Sequence, residues 1–419
     1  MSGEVIVTVQ TNRPAYPSTG STQLAYVLVE ARPTGSVAQV RMPLNFAFVL
    51  DHSGSMSGAK LANLKAAAKL AIDRLGPGDL VSIVIFDDKV QVLVPSRPAD
   101  NPAALKKQVD SIRDGGGTEM SRGMKAGLDE LRKGLAPGRV SRMLLLTDGE
   151  TFGDEDLCRK LAAEAGRSGI PIIALGLGED WNEKLLDDIA EASRGVSDFI
   201  PDKQPQAILK SFEEHVRAAQ ATGIQNAQLI LRLVAGVVPR AVWRVTPLIA
   251  KLGHRALSDR DVQVTLGDMD VGRGQSVLVE VLLPPRAPGM YRVMQAEVGY
   301  DMIALGRTGE KAKADVVLEF TADLTRASQV NPYVMNIVEK VTAHRLQTQA
   351  LDEAAVGNIA GATRKLRAAA TRLLELGEEE LARTALEEAQ RLEEGKGLSS
   401  AGTKKLRYET RKLTQKLEE

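Results

Sequence analysis

A chain of 419 residues is too long for one ordinary core, because domains mostly hold roughly 100–200 residues, so two or three are expected. Its 54 Lys and Arg balance 54 Asp and Glu, which leaves no global field to draw it to nucleic acid or anionic lipid; recognition must be local. The single cysteine, Cys158, excludes an intrachain disulfide and a four-cysteine zinc site, and the four histidines at 52, 215, 254 and 344 show no ligand spacing.

The amino terminus, MSGEVIVTVQ, alternates polar and apolar residues instead of presenting a basic segment and an apolar one. No apolar run approaches the roughly 20 residues that span a bilayer. With one cysteine, a soluble, cytoplasmic protein is expected.

Residues 1–42 hold two strand-like stretches, Val5 to Val9 and Leu24 to Val29, separated by a turn-rich segment from Pro14 to Gly20. Two strands are too little to fold alone. Over 43–221, apolar runs (Phe46 to Leu50, Leu80 to Phe86, Met143 to Leu146, Ile170 to Leu175) alternate with helical patterns, the texture of buried parallel strands with crossover helices. In the first crossover helix Leu61, Leu64, Ala68, Ala71 and Leu75 form the apolar stripe, Lys60, Lys65 and Lys69 fall outside it, and Pro77-Gly78 ends it. These segments predict an α/β, doubly wound, mainly parallel sheet with its ligand site at the carboxyl ends of the strands.

Over 222–320 the helical period disappears, and Leu229 to Val234, Val277 to Leu283 and Val316 to Phe320 read as strands of a β-sandwich divided by Gly and Pro. Adding the two amino-terminal strands completes it, which makes the α/β domain an insertion. Residues 321–419 form a helical region, with stretches at 333–349, 354–376, 378–394 and 400–418. No 34-residue repeat is in register, so an irregular bundle is expected.

Three loops carry the chemistry. Asp51-His52-Ser53-Gly54-Ser55-Met56 follows the run Phe46 to Leu50; Gly115-Gly116-Gly117-Thr118 opens a helix; Leu144-Leu145-Leu146-Thr147-Asp148-Gly149 closes a buried strand. Ser and Asp beside Gly are also ordinary turn and cap residues. Capping, however, requires neither two hydroxyls two residues apart nor an Asp after a different buried strand. With these three pieces, residues 43–221 resemble the von Willebrand factor type A (VWA) family with its metal-ion-dependent adhesion site. The resemblance implies that Ser53 and Ser55 coordinate Mg²⁺, that Thr118 binds directly or through water, and that Asp51 and Asp148 hold metal-bound waters. Mn²⁺ suits the same oxygens. A hard cation held by hydroxyls with carboxylates behind them keeps charge to spare for an outside Asp or Glu carboxylate.

A haloacid-dehalogenase-like phosphatase would carry a second acid where Ser53 stands, and the Gly54 to Lys60 segment satisfies neither a phosphate loop nor a nucleophile elbow. His52 is expected to point away from the metal loop, Cys158 to be an inert thiol, and Asp154, Glu155 and Asp156 to favour the start of their own helix through its dipole. The sequence therefore predicts a non-enzymatic adaptor that captures an acidic residue of a protein partner. One alternative is a partner subunit of a MoxR- or chelatase-type AAA+ ATPase, and another is a metal-dependent hydrolase. The layout also resembles bacterial proteins labelled calcium-activated chloride channel-like, a label that implies no transport in a chain without a membrane span.

Overall fold

The computed structural model describes residues 4–34, 42–151, 153–201 and 205–415. It divides into two units: Arg41–Thr222, and a second made of Met1–Val40 with Gly223–Glu419. The chain opens with β1 (Val5–Thr11), β2 (Ala15–Pro17) and β3 (Gln23–Pro33). β1 and β3 pair antiparallel, with Val9 opposite Val29.

The α/β unit runs β4 (Leu44–Asp51), α1 (Ala59–Arg74), β5 (Leu80–Phe86), β6 (Val90–Pro98), α2 (Pro102–Asp110), α3 (Met120–Lys133), β7 (Val140–Thr147), α4 (Glu155–Arg167), β8 (Ile172–Leu177), α5 (Glu183–Ser193), β9 (Val196–Ile200) and α6 (Pro205–Gln220). Its strands lie in the order β6-β5-β4-β7-β8-β9, parallel except for the edge strand β6. Every residue of β4 and β7 is buried, as expected of strands covered on both faces. The chain leaves β4 toward β5 on one side and returns to β7 on the other, so β4 and β7 flank the point where strand order reverses. Crevices at such points take ligands in open α/β sheets.

In the other unit follow β10 (Thr222–Leu233), β11 (Val238–Thr246), β12 (Ala250–Leu252), β13 (His254–Ala256), β14 (Asp261–Asp270), β15 (Gln275–Leu283), β16 (Gly289–Met302) and β17 (Arg307–Thr321). Among the described residues they form two sheets with the opening strands, ordered β1-β3-β15-β11-β12 and β13-β14-β10-β16-β17-β2. β3 is central to the first, pairing with β15 from Gln23 opposite Leu283 to Ala31 opposite Gln275. The fold class expected from the sequence, a doubly wound α/β unit inserted in a β-sandwich and followed by helices, is the one observed. The strands read at 229–234, 277–283 and 316–320 fall in β10, β15 and β17, and β11, β12, β13, β14 and β16 accompany them. β12 and β13 are too short to show a period, and much of β17 is polar and exposed.

The helices are α7 (Leu324–Ser328), α8 (Pro332–Ala355), α9 (Ile359–Glu375), α10 (Glu379–Glu393) and α11 (Ser400–Glu409), with Asn331, Asn358 and Ser399 capping α8, α9 and α11. The helix expected over 400–418 stops at Glu409, where a 3₁₀ turn over Thr410–Lys412 begins; 416–418 lie outside the described residues. The helices bury their apolar faces on the outer face of the first sheet, against Leu28, Trp243 and Leu278. Alternation along β3 follows: Val27 and Val29 enter the sandwich core while Leu28 enters the helical one. Among the described residues no helix is long and apolar enough to cross a membrane.

Candidate metal site

Parallel pairing sets the site. Leu50 of β4 lies opposite Leu146 of β7, so the residues just beyond them, Asp51 and Thr147-Asp148, leave the sheet side by side. The loop after Asp51 carries Ser53 and Ser55 and is laced to the Thr118 loop by two backbone hydrogen bonds, Gly115 N–H to His52 O at 2.9 Å and Gly54 N–H to Gly116 O at 3.2 Å. Gly116 sits at φ 68°, and a Cβ there would lie 2.4 Å from Asp88 Oδ1 and 2.6 Å from Asp87 Oδ2; this turn requires glycine. Helix α3 then comes close to the sheet through Gly127, where a Cβ would meet Val49 at 2.4 Å.

The hydroxyls converge. Ser53 Oγ and Ser55 Oγ are 3.1 Å apart, and Ser55 Oγ donates to Asp148 Oδ1 at 2.7 Å. A Cβ placed on Gly149 would lie 3.8 Å from both Ser55 Oγ and Thr118 Oγ1, so Thr118 borders the same spot and the glycine leaves it open. Although Ser53 occupies the N-cap position of the 3₁₀ turn over Gly54–Met56, its side chain makes no cap bond, so capping does not account for it.

Both carboxylates are buried and held from behind. Asp51 accepts from Ser53 N–H at 2.8 Å through Oδ1 and from the Thr147 hydroxyl at 2.6 Å through Oδ2. Burial pushes the Asp51 carboxyl above its ordinary range, hydrogen bonds from Ser53 and Thr147 pull it back, and the neighbouring Asp148 charge adds to the rise. Asp148 accepts from Ser55 on one oxygen and from Lys60 Nζ, at 2.6 Å, on the other.

The donor set fits a hard divalent cation. Cis ligands of an octahedral Mg²⁺ at ~2.0–2.1 Å stand about 2.9 Å apart, close to the 3.1 Å between the two serine hydroxyls. A serine that donates its proton to a carboxylate turns its lone pairs elsewhere, as a neutral ligand must. Among the described residues no three His, Cys, Asp or Glu side chains cluster as a metal site, so the donors here are hydroxyls backed by two carboxylates, a set suited to Mg²⁺ or Mn²⁺ rather than to a thiolate-bound ion.

Of the other singled-out residues, His52 bonds Arg113 O through Nδ1 at 2.7 Å and lies 3.9 Å from Asp87, and Cys158 is fully buried, burial first and the Asp154 charge second raising its thiol pKa. Asp154 stands at the start of α4, as expected, with Glu155 and Asp156 in its first turn. It occupies the N-cap position of α4 but makes no cap bond there; its Oδ2 accepts from the Ser121 N–H of α3 at 2.7 Å. The Thr151 hydroxyl donates to Asp154 Oδ1, lies 3.2 Å from Thr118 O and accepts from Met120 N–H at 3.2 Å. Thr147, Thr151, Asp154 and Lys60 thus join the site without having been singled out for it in the sequence. Only their position within or just beyond the motifs signalled them.

Comparison with known proteins bears on the domains and the fold. Residues 45–214 match the model of the von Willebrand factor type A domain, and 332–416 that of the Sll0103-like, C-terminal alpha-helical domain. The chain therefore contains a VWA domain, of a family of protein-interaction modules, joined to an Sll0103-like helical domain. Among curated relatives it is similar to the uncharacterized protein sll0103 of Synechocystis, 34% identical over 64% of this chain and 64% of that one. It is also similar to YfbK of Escherichia coli, 27% identical over 40% and 30%, and to inter-alpha-trypsin inhibitor heavy chain H3 of Rattus norvegicus, 30% identical over 44% and 22%. The matches thus span less than two thirds of each of these relatives. Two solved structures share the fold across nearly the whole chain. A von Willebrand factor type A protein from Catenulispora acidiphila gives a TM-score of 0.76 at 20% identity, covering 97% of this chain and 96% of that one. The ArnB paralog VWA2 from Sulfolobus acidocaldarius gives 0.58 at 16% identity, covering 98% and 99%.

Proposed function

We propose that the VWA domain is a non-enzymatic, Mg²⁺-dependent protein-interaction module that captures an Asp or Glu carboxylate of a protein partner. Ser53, Ser55 and Thr118 would hold the ion, with Asp51 and Asp148 behind them. The observation that carries this reading is the hydrogen bonding of the two carboxylates: all four of their oxygens already accept from the protein, which leaves the hydroxyls to face an ion. When bound, the cation supplies a Lewis-acidic position for an outside oxygen ligand.

The test is retention of partners on the immobilised chain in Mg²⁺ and in chelator. Partners released by chelator, and lost in both Asp148→Ala and the double variant Ser53→Ala/Ser55→Ala, are the expected result. Binding that survives both variants overturns the reading. An AAA+ ATPase among the released proteins identifies the partner class as a chelatase-type motor. Phosphoester turnover abolished by Asp51→Asn would instead establish a hydrolase.

A further inference from the structure

Lys60 lies in the first turn of α1, the end of a helix where a cation is electrostatically disfavoured. Its ammonium reaches across 88 residues of sequence to Asp148 Oδ2 at 2.6 Å. The lysine side chain stays 25% exposed while that of Asp148 is fully buried, so Lys60 reaches the hydroxyl cluster from its rim with its ammonium on the carboxylate. The charged groups bonded into the cluster are therefore two carboxylates and one ammonium, a net charge of −1. A divalent ion brings that sum to +1, whereas without Lys60 the loaded cluster would be neutral.

We propose that Lys60 sets the charge of the site: it weakens capture of the divalent ion and strengthens capture of an anionic ligand by the ion-loaded site. This rests on the metal reading of Ser53, Ser55, Thr118, Asp51 and Asp148. A neutral loaded site would hold its ion well and attract a carboxylate poorly, while a site left with one positive charge does the reverse. Lys60 thus trades ion affinity for selectivity toward an acidic partner.

The experiment titrates Mn²⁺ alone into the full chain, reading free ion by electron paramagnetic resonance, for wild type, Lys60→Met, Lys60→Arg and Ser53→Ala/Ser55→Ala. Acetate is then titrated at saturating Mn²⁺ and followed by water proton relaxation. Lys60→Met is expected to bind Mn²⁺ about tenfold tighter and acetate several-fold weaker, and Lys60→Arg to stay near wild type in both. Mn²⁺ affinity that is unchanged or reduced in Lys60→Met, while wild type binds and the double serine variant does not, overturns the role of Lys60 and leaves the metal site standing. Equal Mn²⁺ binding by wild type and the double serine variant, or none by wild type and Lys60→Met alike, overturns the metal reading and this proposal with it.

Discussion

Asp154 holds the backbone of Ser121, 33 residues earlier, by an N–H to carboxylate bond of 2.7 Å. Through Thr151, which bonds Asp154 and lies against Thr118 O and Met120 N–H, the loop that carries Asp148 is fastened to the loop that carries Thr118. With the two backbone bonds between the Asp51 and Thr118 loops, all three loops of the site are fastened to one another.

Asp154→Ala should loosen that fastening without touching a proposed ligand. The expected cost is about 1–2 kcal/mol of stability, from an orphaned helix N–H and a lost charge-assisted bond, together with a several-fold loss of Mn²⁺ affinity. Asp154→Asn keeps an acceptor for Ser121 N–H and should recover most of the affinity. A variant that melts earlier yet binds Mn²⁺ as wild type does would make Asp154 a stabilising residue only.

In the sandwich, the Glu297 carboxylate is nearly fully buried among Lys313 Nζ at 3.0 Å, Lys311 Nζ at 3.2 Å and Arg232 Nη2 at 3.3 Å, with Asp261 sharing Arg232. Burial alone raises its pKa, and the bonds from Lys313, Lys311 and Arg232 overturn that and hold it at about 2. Because the folded value lies below the ordinary 4.5, this cluster stabilises the fold at neutral pH. Its contribution fades as pH falls from about 4.5 and is gone below about 2. Glu297→Gln should lose on the order of 1–3 kcal/mol at pH 7, allowing for the exposure of the three cations. Thermal melts of both proteins across this range should converge as pH falls; a gap that stays constant would show that the ionisation of Glu297 contributes nothing.

β3 lies between β1 and β15, so the first sheet cannot close from residues after 222 alone. A polypeptide of residues 223–415 should be poorly soluble or melt without cooperativity, since the edge of β15 and the apolar residues that meet Val27, Leu28 and Val29 are uncovered. Joining residues 1–34 to it through a short linker should restore a cooperative transition by calorimetry. Cooperative melting of the shorter polypeptide at the same temperature would show that the opening strands are dispensable.

The buried parallel strands were legible because a strand covered on both faces has to be apolar throughout, and the Asp51, Ser53, Ser55 spacing was legible because it follows directly on such a strand. Lys60 was not. Helical periodicity places it outside the apolar stripe, which on most helices means solvent, and its partner Asp148 enters from another strand. Asp154 stands at the start of its own helix as the sequence implies, but its bond to Ser121 was not legible, because only the packing of α3 beside α4 brings that N–H to it. The short strands β12 and β13 left no period to read, since three residues cannot show one.

The insertion of one domain into another also dictates an order of events during synthesis. β3 ends at Pro33 and β15, its partner, begins at Gln275. At ~5–20 residues per second a ribosome needs on the order of ten to fifty seconds to bridge that gap. Among the described residues the strand pairings of the VWA domain are internal, so its sheet can form before β15 exists to pair with β3. The sandwich closes only when late-emerging strands reach back to the first ones made.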